Sequence, residues 1–203
     1  MFDFLVKGGY LVIPILLCSV VALAIFVERI IRFSKIKSRG AGLAEKTIQM
    51  LKEGRKNEAR QMLAASNAPT GRVLLQAIEV MDQDRETLET VISNSTDEEV
   101  RDLSSYVQAL ATMGNIAPLL GLLGTVVGMI KAFMVIQQMG GKVNAAVLAG
   151  GIWEAMLTTA LGLAVALPTM VAHSYLLSRI DKYEARIQSG AVAFIKGLGK
   201  QKD

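Results

Sequence analysis

The stretch Gly114-Asn-Ile-Ala-Pro-Leu-Leu-Gly-Leu-Leu-Gly-Thr-Val-Val-Gly-Met129 decides the fold. It carries no charge, and it sits inside a longer uncharged run of 28 residues from Leu103 to Ile130. About 20 apolar residues in a helix are enough to cross a hydrocarbon core. Two other stretches meet that requirement. Gly8 to Val27 is 20 residues without a charge, and Ala155 to Ser178 is 24 residues without Asp, Glu, Lys or Arg, with His173 near its end. Three such runs in 203 residues predict an all-α membrane protein with three transmembrane helices.

Charge distribution orients these spans. Ten Lys and Arg fall between Arg29 and Arg60, against three acids. Only Lys7 precedes the first span. The positive-inside rule then puts the N-terminus outside and the segment after Arg29 in the cytoplasm. The second span returns outward to a short connection bearing Lys131 and Lys142, and the third comes back in. Six basic residues from Arg179 onward agree with a cytoplasmic C-terminus. The expected boundaries are 1–31 for the first membrane helix, 32–104 for a cytoplasmic helical segment and 105–135 for the second membrane helix. A loop on the outer side follows at 136–150, then a third membrane helix at 151–178 and a cytoplasmic helix and tail at 179–203.

The net charge of +4 does not indicate nucleic acid, because no basic stripe carries interleaved aromatics. Basic residues beside a span face anionic lipid headgroups instead. Cys18 is the one cysteine, so no internal disulfide or cysteine metal site exists. Glu28, Arg29, Arg32 and Lys35 after the first apolar run mark a retained anchor rather than a cleaved signal.

Between the first two spans the pattern is helical. Leu43, Ile48, Leu51, Met62 and Leu63 outline one apolar face. Asn67-Ala-Pro-Thr70 is a break, followed by a helix over 71–81. Asp82-Gln-Asp84 is a turn that supplies a helix N-cap. No breaker lies between Arg85 and Gly114, so the second span is expected to run into the cytoplasm as one long helix. The third span is expected to do the same through Ile180, Tyr183 and Ile187.

Inside the membrane, Gly121, Gly124 and Gly128 recur every three or four residues on one face and admit another backbone closely. Pro118 interrupts the same helix. Thr125 among these glycines, and Thr159 near Ala155 and Gly162 in the third span, leave two readings open. Their hydroxyls bond their own helix carbonyls, or they face a polar path in an oligomeric channel. Glu154 is the only acid between Asp102 and Asp181, and beside Trp153 it is either an interfacial carboxylate or part of a pore entrance. His173 and Ser174 are adjacent on one helix and point about 100° apart, so they do not form a nucleophile and base pair. No phosphate loop, carboxylate pair or metal cluster points to an enzyme or to a cofactor.

Two motifs together carry a resemblance. The first is Gly114 to Met129. The second is Gly151-Ile-Trp-Glu-Ala-Met-Leu-Thr-Thr-Ala-Leu-Gly-Leu-Ala-Val-Ala-Leu-Pro168. Both closely resemble the MotA/TolQ/ExbB proton-channel family, and three spans rather than four favour its ExbB/TolQ branch. The resemblance implies a homopentameric channel in a bacterial inner membrane, its pore lined by the second and third spans. It implies a dimer of ExbD/TolR-like single-span subunits in the pore, bringing a membrane aspartate, and a TonB/TolA-like energy transducer. By motif, Thr125 and Thr159 are the pore threonines and Glu154 the glutamate of the third span. Gly121, Gly124, Gly128, Gly162, Pro118 and Pro168 pack the pore helices. The implied function is an ExbB-like use of the proton motive force for outer-membrane transport. A TolQ-like role in envelope integrity, a gliding-type motor and a non-conducting scaffold stand as alternatives.

Overall fold

The computed structural model describes residues 10–36, 42–138 and 145–199. All regular structure among them is helical: α1 (Val12–Ile36), α2 (Leu43–Lys52), α3 (Lys56–Ala65), α4 (Pro69–Val80), α5 (Arg85–Ser104), α6 (Val107–Gln138) and α7 (Ala145–Gly199). Three helices are long and apolar enough to cross a membrane, lying within α1, α6 and α7, and the chain is a multi-pass membrane protein. The flank bearing Lys7, the Lys142 of the expected loop and the last basic residues, Lys200 and Lys202, lie outside the described residues.

The chain divides into two compact units. The first comprises the chain up to Val27 and Tyr106–Tyr175. Here α1 buries Val12, Ile15 and Ala22 while Ile13, Leu17, Val20 and Leu23 stay exposed. On α6, Leu119, Leu122, Val126 and Phe133 are exposed as well. A helix apolar on every side suits a hydrocarbon surrounding, where exposed leucine carries no penalty.

The second unit holds Glu28–Ser105 and the chain from Leu176. Its core is that of a water-soluble bundle. Leu63, Leu74 and Ile78 are fully buried with Phe194 of α7, and Leu51, Leu88 and Ile187 pack with them. The link from α2 to α3 turns at Gly54, whose φ of 73° suits a residue without Cβ. The N–H of Gly54 donates to the Leu51 carbonyl and that of Arg55 to Met50, which closes the end of α2. Arg55 then bonds Glu58 and Glu53, and its guanidinium holds both carboxyls below the usual carboxylate range. In α5 the expected cap forms: the Asp84 carboxylate accepts from the Thr87 N–H at 2.8 Å and from its hydroxyl at 2.8 Å.

Three expectations are corrected. Pro69 does not precede the helix but starts it, as the first residue of α4, where its missing N–H leaves nothing unsatisfied. The second span does not continue unbroken from Arg85. Helix α5 ends at Ser104, Ser105 leaves helical geometry with a ψ of 141°, and Tyr106 takes a φ of 61° before α6 begins. The Ser105 hydroxyl donates back to the Asp102 carbonyl, a local bond that competes with helix continuation. The connection expected at 136–150 is also shorter, since α6 runs to Gln138 and α7 starts at Ala145. Lys131 therefore stands on α6, not on a loop. Gly151 lies inside α7 and is the small residue that lets Ala132 approach: a Cβ there would lie 2.7 Å from the Ala132 Cβ. From Ala145 the third span does run on as one helix of 55 residues, through Ile180, Tyr183 and Ile187.

One cluster in the second unit was not visible in the sequence. Arg29 is 1 % exposed at its side chain, paired with Glu28 at 2.8 Å and donating to the Asp102 carbonyl at 3.3 Å. Arg32 pairs with the Asp102 carboxylate. The Tyr183 hydroxyl donates to the Phe33 carbonyl at 3.0 Å, with the two rings 5.6 Å apart. These contacts join α1, α5 and α7, and only the fold brings residues 29, 102 and 183 together.

Candidate functional site: a threonine pair on a small-residue seam

Helices α6 and α7 run antiparallel along a seam from which side chains are almost absent. The buried positions of α6 beyond its first turn are Gly114, Ala117, Gly121, Gly124, Gly128 and Ala132. Facing them on α7 are Ala155, Thr158 and Thr169, all buried. The approach is backbone to backbone. A Cβ on Gly162 would lie 2.6 Å from the Ala117 carbonyl oxygen, and one on Gly121 would lie 2.9 Å from both the Thr158 oxygen and the Thr159 Cα. A Cβ on Gly128 would stand 2.9 Å from that of Ala155. Gly124 makes room for the side chain of Thr158, whose Cβ would be 2.6 Å away. Small residues in this spacing let two membrane helices gain van der Waals contact that larger side chains would prevent.

Thr158 is 2 % exposed, and its hydroxyl donates to the Ala155 carbonyl at 2.7 Å. It is the buried partner of Gly124, and it fits the local reading of a membrane hydroxyl. Its neighbours behave differently. Thr125 of α6 and Thr159 of α7 meet across the seam with their hydroxyl oxygens 3.1 Å apart, and both side chains are half-buried. Thr159 donates to the Gly121 carbonyl at 2.9 Å, and Thr125 to the Leu122 carbonyl at 2.8 Å. Thr158 and Thr125 also approach the Gly121 carbonyl, at 3.5 Å and 3.4 Å. The bare backbone of Gly121 is thus the acceptor around which the hydroxyls gather, a role that spacing alone did not reveal.

The chemistry follows from the inventory of a hydroxyl, one donor and two lone pairs. With their protons turned to carbonyls, the two oxygens present lone pairs and can accept from a protonated carboxyl. If Thr125 turns its proton outward it can donate to a carboxylate. The pair therefore meets either form of a carboxyl group without a fixed charge of its own.

The other expected residues fall into two groups. Pro118 is half-buried inside α6 and removes the hydrogen bond to the Gly114 carbonyl. Pro168 stands on the exposed side of α7, away from the seam. Glu154 is half-buried near the far end of the seam, bordering a cleft of about 50 Å³ with Lys131, Gly128 and Thr158. His173 is half-buried, three turns beyond Gly162 on α7. Among the described residues no group of three His, Cys, Asp or Glu side chains could hold a metal ion.

Residues 65–189, which contain the whole seam, match the model of the MotA/TolQ/ExbB proton channel family. The chain belongs to this family. Its named relatives lie on the ExbB branch. It is 27 % identical over 166 residues to the putative biopolymer transport protein ExbB-like 3 of Synechocystis, covering 81 % of this chain and 79 % of that one. It is 30 % identical over 178 residues to the ExbB-like 1 protein of the same organism, 87 % of this chain and 70 % of that one. It is 35 % identical over 134 residues to the biopolymer transport protein ExbB of Neisseria gonorrhoeae, where it spans 53 % of the relative's length. The family is one of channels rather than enzymes.

Proposed function

We propose that this chain is the channel-forming subunit of an ExbB-like motor in a bacterial inner membrane, with its N-terminus outside and its C-terminus in the cytoplasm. In this reading five copies surround a pore lined by α6 and α7. The pore takes the helices of a single-span partner whose membrane aspartate carries the proton. A TonB-like transducer conveys the work to outer-membrane transport. The observation that carries the proposal is the pair of half-buried hydroxyls, Thr125 and Thr159, held 3.1 Å apart on the seam.

Physics supports the division of labour. A bare carboxylate in hydrocarbon is costly, so it must be neutralised or meet polar groups. The threonine pair can serve the carboxylate as donor and the acid as acceptor, and so lets a partner's aspartate gain and lose its proton in place. No aspartate lies in α1, in α6 or in the part of α7 from Ala145 to Ser178. One proton crossing 100 mV is worth about 2.3 kcal/mol, enough to bias a step between neighbouring wall positions.

The test is Thr125→Val with Thr159→Val, a swap that keeps shape and removes both hydroxyls. Proton flux into vesicles holding this chain and its co-purified partner should fall by at least about tenfold, the rate effect of losing about 1.4 kcal/mol of transition-state stabilisation. Oligomer size in detergent should stay unchanged. Full flux in the double variant would instead assign the seam to helix packing and the chain to a scaffold.

A further inference from the structure

Lys131 sits where a cation in a membrane helix needs a reason. It lies exposed on α6, one turn beyond Gly128. Gly128 approaches Ala155, and Gly151 approaches Ala132. Lys131 and Glu154 are the sequence neighbours of Ala132 and Ala155, so the antiparallel register sets them at the same level. Both border the same cleft, with Tyr10 and Leu11 closing it from the start of α1. The Lys131 ammonium lies 5.8 Å from the centroid of the Tyr10 ring, at the margin of that cleft. Among the described residues bordering the cleft, Lys131 is the only cation, Glu154 the only acid, and Tyr10 the only other titratable group.

We infer that Lys131 is the positioning residue of Glu154: its ammonium compensates the carboxylate across the cleft and holds it toward the pore-helix seam. The inference rests on the reading of this seam as a channel wall, which gives Glu154 its place at the pore mouth. The physical need is independent of that reading. A half-buried carboxylate near the end of a membrane helix loses hydration, and a cation on the facing helix restores part of what water would have supplied. The flexible stem of lysine lets the ammonium move between the Tyr10 ring and the carboxylate without moving either helix.

Two measurements on the full chain in lipid nanodiscs test the pairing without any partner protein. The first is a double-mutant cycle in thermal unfolding. Lys131→Met keeps the apolar stem and removes the charge, and Glu154→Gln keeps the shape. Each alone should lower the melting temperature by roughly 2–4 °C, and Lys131→Met should have almost no further effect in the Glu154→Gln background. Lys131→Arg should retain the wild-type melting temperature, which loss of packing alone would not predict. The second is zero-length coupling with a membrane-permeant carbodiimide. It should join the Lys131 amine to the Glu154 carboxyl as an amide with loss of water, detected as one linked peptide pair by mass spectrometry. Additive melting shifts, or absence of the linked peptide, would overturn the inference and leave Lys131 to the lipid headgroups. Failure of the threonine test with success here would sink the channel reading and keep the pair.

Discussion

The membrane unit and the second unit pack their helices by opposite means. The α6–α7 seam works by deletion: Gly121, Gly128 and Gly162 remove side chains so that backbones touch. The bundle around Phe194 works by filling: Leu63, Leu74, Ile78 and Phe194 each have 0 % exposure and together exclude water. The difference follows from solvent. In water, large apolar side chains drive association because burial removes them from water. In lipid that driving force is missing, since the tails are as apolar as leucine, and close contact and hydrogen bonds must hold helices together. Position within a bilayer therefore inverts which substitution does harm: addition of atoms in one unit, removal in the other.

Gly162→Leu should give the largest effect. Its first added atom meets the Ala117 carbonyl oxygen at 2.6 Å and the Gly121 Cα at 3.1 Å, both backbone atoms that cannot rotate aside. The helices must separate, and the loss should exceed about 5 kcal/mol, beyond the ordinary range for one substitution. Circular dichroism melts in nanodiscs would show a large fall in melting temperature. Gly150→Leu, in the same helix with nothing within 4 Å, should change the melt little. Equal behaviour of the two would break the comparison.

Phe194→Ala probes the opposite logic. Phe194 is fully buried in the second unit, and removing a phenyl ring from a packed core costs about 3–5 kcal/mol. The same melt should fall clearly but by less than for Gly162→Leu. Hydrogen exchange should show faster opening in α4 while amides of the α6–α7 seam keep their protection. If seam protection were lost equally, the two units would not be separate cooperative bodies.

How much of this was legible follows the same divide. The three spans could be read because absence of charge over 20 or more residues is a signal that needs no partner. One face of the seam could be read too, since Gly121, Gly124 and Gly128 show their spacing in the sequence. Its register could not. That Gly162 meets Ala117, or that Thr125 meets Thr159, 34 residues on, depends on how the two helices slide against each other. The interruption at Ser105-Tyr106 also escaped, because neither residue is a glycine or proline and a positive φ in tyrosine has no local signal. The role of Gly151 escaped for a related reason: a glycine that marks a loop and a glycine that marks a helix contact look the same until the partner, Ala132, is known.

The smallest effect sharpens the comparison from the aqueous side, where charge rather than volume holds a helix end. Asp84 caps α5, and the bonds from the Thr87 N–H and then its hydroxyl hold its carboxyl below the usual range. The ordinary aspartate value lies near about 4. A carboxyl lowered in the folded state contributes stability that is complete above its unfolded value and is lost as pH falls through the folded one. The wild type should therefore melt above Asp84→Ala at pH 7, and the gap should narrow below about pH 4. Glu53 and Glu58 are also held low by Arg55, but they are common to both proteins and cancel in the difference. Gly162→Leu, by contrast, should show a deficit that does not vary across that window, because a steric clash carries no proton. A pH-independent gap for Asp84→Ala would mean that the cap acts through helix geometry alone.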